Sequence, residues 1–194
     1  MWAMDQVRQS IANKRIPPLN LWYGEERFFM QEALKLLKDN YLKEDPSGSA
    51  IEVFSGKNSA PEEIVAAANT MSFFSGKLII VEDIPYFQEG QGEALEPYYA
   101  YFDNPNPGTC LVFLAPSINR GRKFYKAIEK QGAVLEFVSP KKTQEWLAWL
   151  EQELAVRGKT MKPQVKNLFL EWGGHQVGVL SQELNKLCAY VDGK

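Results

Sequence analysis

The sequence predicts an α/β fold: a doubly wound, parallel, five-stranded sheet followed by a small unit of three helices. Three observations carry this reading. Over the first 140 residues, short apolar runs alternate with helical periodicities, the order of a sheet with helical crossovers. The runs Leu78 to Val81 and Thr109 to Leu114 are apolar nearly throughout, as in parallel strands covered on both faces. At Ser139-Pro140-Lys141-Lys142 the pattern changes, and the rest of the chain is helical. The expected division is therefore an α/β domain over residues 1–140 and a helical domain over 141–194.

In chain order, Leu19 to Tyr23 reads as the first strand. Glu25 to Tyr41 reads as a helix, with Met30, Ala33, Leu34, Leu37 and Tyr41 at helical spacing. Ala50 to Phe54 is the second strand. Pro61 to Met71 is a helix, with Pro61 in its first turn and Ile64, Ala68 and Met71 on one face. After the third strand, Glu96 to Phe102 is helical, Thr109 to Leu114 is the fourth strand, Lys123 to Lys130 is a helix, and Ala133 to Phe137 is the last strand. The helical unit shows three stripes. They are Trp146, Leu147, Leu150 and Leu154; then Val165, Leu168, Phe169 and Trp172; then Val177, Leu180, Leu184, Leu187 and Val191.

Composition excludes several classes. The chain has 194 residues, 45% apolar and 24% charged, an ordinary globular balance. A net charge of −2 leaves no global basic field for nucleic acid or an acidic membrane. No apolar run approaches the roughly 20 residues that span a bilayer, and the start, Met1-Trp2-Ala3-Met4-Asp5, is not a signal peptide. Cys110 and Cys188 fit neither a metal spacing nor a disulfide framework, so a cytoplasmic setting is expected.

The chemical motifs are notable for what they lack. A strand, a Gly turn and a helix is where a nucleotide-binding fold keeps its phosphate loop, but the turn reads Tyr23-Gly24-Glu25-Glu26-Arg27. One glycine and two carboxylates cannot wrap a triphosphate, although the acids suit the helix dipole. Arg157-Gly158-Lys159-Thr160 imitates the end of such a loop, but it comes after a helix and has Glu153 where the first glycine should stand. It is read as a helix cap with a left-handed glycine. Glu82 and Asp83 close an apolar strand as metal-binding acids do in ATPases, and without a phosphate cradle they are a relic or a polar strand end. Gly24, Glu25, Glu82 and Asp83 are thus a degenerate nucleotide site. The single histidine, His175, lies in a turn between helices, so triad chemistry has little to work with. No cofactor, metal site or catalytic residue is expected.

Two surface features remain. Arg120, Arg122, Lys123, Lys126 and Lys130 make a basic stretch in which Arg122, Lys126 and Lys130 repeat every four residues. The alternatives are phosphate contact with DNA and a solvated outer face of a crossover helix. The second feature is Met71-Ser72-Phe73-Phe74-Ser75-Gly76-Lys77, adjacent aromatics in a connection that should run over the surface. Exposed aromatic anchors flanked by small residues fit a plug for a partner's hydrophobic pocket.

These features together resemble the delta subunit family of bacterial DNA polymerase III, the clamp-loader "wrench". The resemblance runs through Leu21-Trp22-Tyr23-Gly24-Glu25-Glu26, Met71 to Ile79, Asn119 to Lys126, and Gln182-Glu183-Leu184-Asn185-Lys186-Leu187. It implies an AAA+-like domain with its phosphate loop erased, a helical lid domain, and no ATPase activity. It also implies a clamp-binding wedge of Met71, Ser72, Phe73 and Phe74 that opens the beta sliding clamp for loading onto primed DNA. Phe73 stands where the family often has leucine. Other clamp-loader subunits, gamma/tau and delta prime, would be partners through a C-terminal collar domain that this chain stops short of. The rival expectations are a small-molecule-binding α/β protein using the crevice at its strand ends, for which Glu25, Glu82 and Asp83 are candidates, and a divergent nucleotide-binding ATPase.

Overall fold

A computed structural model describes residues 2–71, 76–87 and 93–192. The chain forms two compact units, Met1–Phe137 and Val138–Lys194.

The first unit opens with helix α1 (Ala3–Ala12), which the sequence reading does not anticipate. Next come β1 (Leu19–Tyr23), α2 (Arg27–Leu42), β2 (Ile51–Ser55), α3 (Pro61–Asn69) and β3 (Lys77–Glu82). A short 3-10 turn (Glu93–Leu95) leads into α4 (Glu96–Asp103), then β4 (Thr109–Ala115), α5 (Lys123–Gln131) and β5 (Ala133–Glu136). The five strands are parallel in the order β2-β3-β4-β1-β5. β1 and β4 are neighbours although the chain leaves them in opposite directions, so the sheet's topological switch point lies between them.

The strand burial explains the apolar runs. β3 and β4 are interior strands and are buried at nearly every position, whereas the edge strands β2 and β5 are half-buried. Leu19, Leu21 and Tyr23 point to the same face as Ile79, Val81, Leu111 and Phe113. There α3, α4 and α5 cover them through Ile64, Ala68, Tyr98, Phe102, Phe124 and Ile128. Aromatic edges fill this layer: Phe113 meets Phe124 at 5.1 Å and Tyr98 at 5.1 Å, both edge to face. Tyr86 Oη lies 3.0 Å from Tyr98 Oη, so the two buried hydroxyls satisfy one another.

In the second unit α6 (Thr143–Val156), α7 (Pro163–Trp172) and α8 (Val177–Asp192) bury Trp146, Trp149, Leu150 and Leu154 with Leu170, Val177, Leu180 and Leu184. Gly173 is needed where it stands, because a Cβ there would meet Leu180 Cδ2 at 2.0 Å. The expected stripe on α7 is corrected. Val165, Leu168 and Trp172 are exposed, and Leu170 is the residue turned inward. On α8, Leu187 and Val191 are likewise exposed. Gly158 has φ 64°, and the Gly158 and Lys159 amides donate to the Ala155 and Leu154 carbonyls. The Gly-Lys-Thr tripeptide is therefore the expected left-handed helix cap.

Candidate functional site

The first candidate is the turn between β1 and α2, at the carboxyl end of the sheet. Here the backbone of the last strand's exit fills the space. Phe137 donates its amide to the Tyr23 carbonyl at 2.7 Å, and its own carbonyl accepts from the Glu26 amide at 3.1 Å. Gly24 has φ 138°, and a Cβ on it would lie 2.0 Å from the Phe137 oxygen. The glycine therefore serves a close approach of two backbone segments. At the start of α2, where a phosphate would be drawn to unpaired amides, the Glu26 carboxylate already accepts from the Phe28 amide at 3.3 Å. Glu25 is exposed. Glu82 and Asp83 are exposed at the end of β3, where Asp83 takes the left-handed φ of 52°. Among the described residues no cluster of His, Cys, Asp and Glu is arranged to hold a metal ion. His175 is exposed in its turn at φ 54°, with its ring 5.2 Å from that of Trp146.

The polar groups that do converge at the strand ends are ones the sequence reading did not pair. Arg120 Nη2 donates to Tyr23 Oη at 2.8 Å and lies 3.5 Å from Glu136 Oε2. Burial pushes the Tyr23 phenol up, against the pull of Arg120. Lys123 is likewise engaged, 3.0 Å from Glu96 Oε1 and 3.9 Å above the Tyr99 ring. Arg122 is the half-buried cap residue of α5, while Lys126 and Lys130 are exposed along that helix. Of the four basic candidates, Arg120 and Lys123 are thus paired with neighbouring acids while their side chains stay exposed.

The second candidate is the junction of α3 and β3. The helix is shorter than expected. It ends at Asn69, and Thr70 is extended at ψ 129°, with its hydroxyl donating to the Ala66 carbonyl at 2.9 Å. Side-chain bonding to the last turn competes with helix continuation, so Met71 is off the helical face on which Ile64 and Ala68 stand. It is 89% exposed. Ser72, Phe73 and Phe74 lie outside the described residues. On the far side, Lys77 is buried, with Nζ 2.6 Å from Glu52 Oε1 and 2.8 Å from the Ala67 carbonyl. Asn106 and Thr109 donate to the Ala68 carbonyl at 3.1 and 2.8 Å. Sequence reasoning missed these three donors. A lysine opening an otherwise apolar strand was the one available signal.

A family model described as "DNA polymerase III, delta subunit" matches residues 21–138. The chain belongs to this family. The DNA polymerase III subunit delta of Bacillus subtilis (strain 168) is 25% identical over 202 residues, covering 95% of this chain and 55% of that protein. The solved structure of the Bacillus subtilis DNA clamp loader delta protein superposes with a TM-score of 0.81 at 22% identity, over 97% of this chain and 57% of the other. A gamma subunit-related protein of DNA polymerase III from Thermotoga maritima gives a TM-score of 0.50 at 15% identity, over 81% of this chain and 54% of its own. The chain therefore spans a little over half the length of the delta relatives it matches. The AAA+-like α/β fold expected from the resemblance is the fold found. No helix among the described residues is long and apolar enough to cross a membrane.

Proposed function

We propose that the chain is the clamp-binding part of a clamp-loader delta subunit. It binds the ring-shaped beta sliding clamp through Met71, Ser72, Phe73 and Phe74 and favours the open ring, for loading onto primed DNA during replication. The observation that carries this is the position of Met71. A large apolar side chain stands 89% exposed at the exit of α3, in a chain of the delta family. Surface connections with exposed apolar anchors are where partners dock.

Ring opening of this kind needs no chemistry from the chain. A protein that prefers the open ring shifts the equilibrium by its differential affinity alone. Moving a ring from 1% to 99% open takes about 5.5 kcal/mol of such preference. The β1–α2 turn supports a role without ATPase activity, because Phe137 and Glu26 occupy the space and the amides a phosphate would use. That geometry speaks against the divergent-ATPase alternative. The small-molecule alternative has less support, since Glu25, Glu82 and Asp83 are solvated and Arg120 is already engaged by Tyr23 and Glu136.

As part of the same reading, the division at the Ser139-Pro140 stretch separates the clamp-binding domain from a helical lid. The gamma/tau and delta prime subunits would join through a C-terminal collar domain, in a bacterial cytoplasm. Arg120, Arg122, Lys123 and Lys126 are the candidate DNA phosphate contacts in this reading, with Lys126 exposed along α5 and Lys123 paired with Glu96. The direct test of ring opening is release of clamps preloaded on circular DNA by an excess of the chain, without nucleotide. Release supports the reading. Binding without release would confine the chain to docking.

A further inference from the structure

The carbonyls run out of amide partners at the end of α3, where those of Ala66 and Ala67 share the single amide of Thr70 at 3.1 and 3.2 Å. Three of them receive side-chain donors: Ala66 from Thr70, Ala67 from Lys77, and Ala68 from Asn106 and Thr109. Lys77 differs from the rest in joining three elements. It belongs to β3, its ammonium holds the end of α3, and the same ammonium pairs with Glu52 on β2. The side chain is only 8% exposed, and a lysine is almost never so buried unless paired. Its amide is also fixed, donating to the Gly108 carbonyl at 2.9 Å. Gly76 sits against the Tyr41 ring, with room for a Cβ only 3.2 Å from Cε1. Both flanks of residues 70–76 are thereby held to the sheet.

We infer that Lys77 is a positioning residue for the clamp-binding surface: its ammonium, bridging the Ala67 carbonyl and the Glu52 carboxylate, fixes the two ends of residues 70–76 relative to one another. The inference rests on the clamp-binding reading above. It differs from a purely structural role in what it affects. A stability staple changes the folded fraction and leaves the folded protein's affinity alone. A positioning residue sets the fraction of folded molecules that are competent to bind. Loss of that fraction weakens apparent affinity in proportion and enters through the association rate.

The test is surface plasmon resonance of the whole chain on an immobilised sliding clamp, for Lys77→Met, Lys77→Arg and the double variant Phe73→Ala/Phe74→Ala, with thermal melts and amide exchange alongside. For Lys77→Met the association rate should fall about tenfold with dissociation nearly unchanged, as a smaller competent fraction requires. The Thr70 amide should exchange faster, and Lys77→Arg should recover most of the rate. Wild-type rates in Lys77→Met, with binding lost in the double variant, would overturn the inference alone. Wild-type binding by the double variant would overturn the clamp-binding reading and this inference with it. If Lys77→Met does not fold, Glu52→Ala keeps the bond to Ala67 and removes one tether. An unchanged association rate in that variant overturns the inference, and a fall supports it.

Discussion

The Phe137 carbonyl oxygen occupies the space that any side chain on Gly24 would need, 2.0 Å from the position of its Cβ. Glycine at this turn is thus required by a neighbouring strand's backbone. In a phosphate loop the same residue type is required by the ligand. Gly24→Ala should therefore destabilise the protein by more than about 1 kcal/mol, the usual size of the opposite, favourable change at compatible sites. Urea denaturation checks this, and an unchanged midpoint would show that the contact is loose.

The same closure predicts that Mg-ATP does not bind. Calorimetric titration of the chain with Mg-ATP should give no saturable heat at millimolar concentrations. A micromolar dissociation constant would restore the ATPase alternative.

Asp45 organises the loop before β2. Its carboxylate accepts from the Ser47 hydroxyl at 2.5 Å, the Ser49 hydroxyl at 2.9 Å and the Ala50 amide at 2.8 Å. These bonds, the Ser47 hydroxyl first, hold its pKa below the ordinary 3.8. A depressed folded-state pKa gives stability that is fully present above the unfolded value and is lost as pH falls through the folded one. Asp45→Asn should therefore melt lower than wild type at neutral pH, with the gap closing below about pH 4. A gap that persists at about pH 2 would mean that packing, not charge, carries the effect.

Phe113 is the centre of the aromatic layer, in edge contact with Tyr98, Phe102 and Phe124. Phe113→Ala should cost about 3–5 kcal/mol in equilibrium unfolding. A loss under about 1 kcal/mol would mean that the layer collapses around the gap.

For DNA contact, Lys126→Ala should reduce the salt dependence of binding to primed DNA by about one unit of slope. Lys123→Ala should change it less, because Lys123 is already paired with Glu96. Equal effects would show that the Glu96 pair gives way to phosphate.

The strands were legible because each is a short apolar run between Gly, Pro or Asn signals, and β1, β3 and β4 lie within one residue of their expected limits. Helix α1 does carry a signal, since Ala3, Val7 and Ile11 repeat every four residues. The α7 stripe misled for another reason. Periodicity marks an apolar face but does not say that something covers it, and Val165, Leu168 and Trp172 are exposed. At the site, the missing phosphate loop was readable from Glu25 and Glu26. The Phe137 carbonyl that closes the turn was not, because it arrives from more than a hundred residues away through sheet pairing. Lys77 was hidden likewise, as its partners on β2 and α3 are set by tertiary packing.

Clamp binding through Met71, Ser72, Phe73 and Phe74 should need no nucleotide. Calorimetric titration of the sliding clamp with the chain, in the absence of ATP, tests it most directly. Binding should be saturable and should be abolished by Phe73→Ala/Phe74→Ala, with the thermal midpoint of the variant unchanged. Micromolar or tighter affinity retained by that double variant would contradict it.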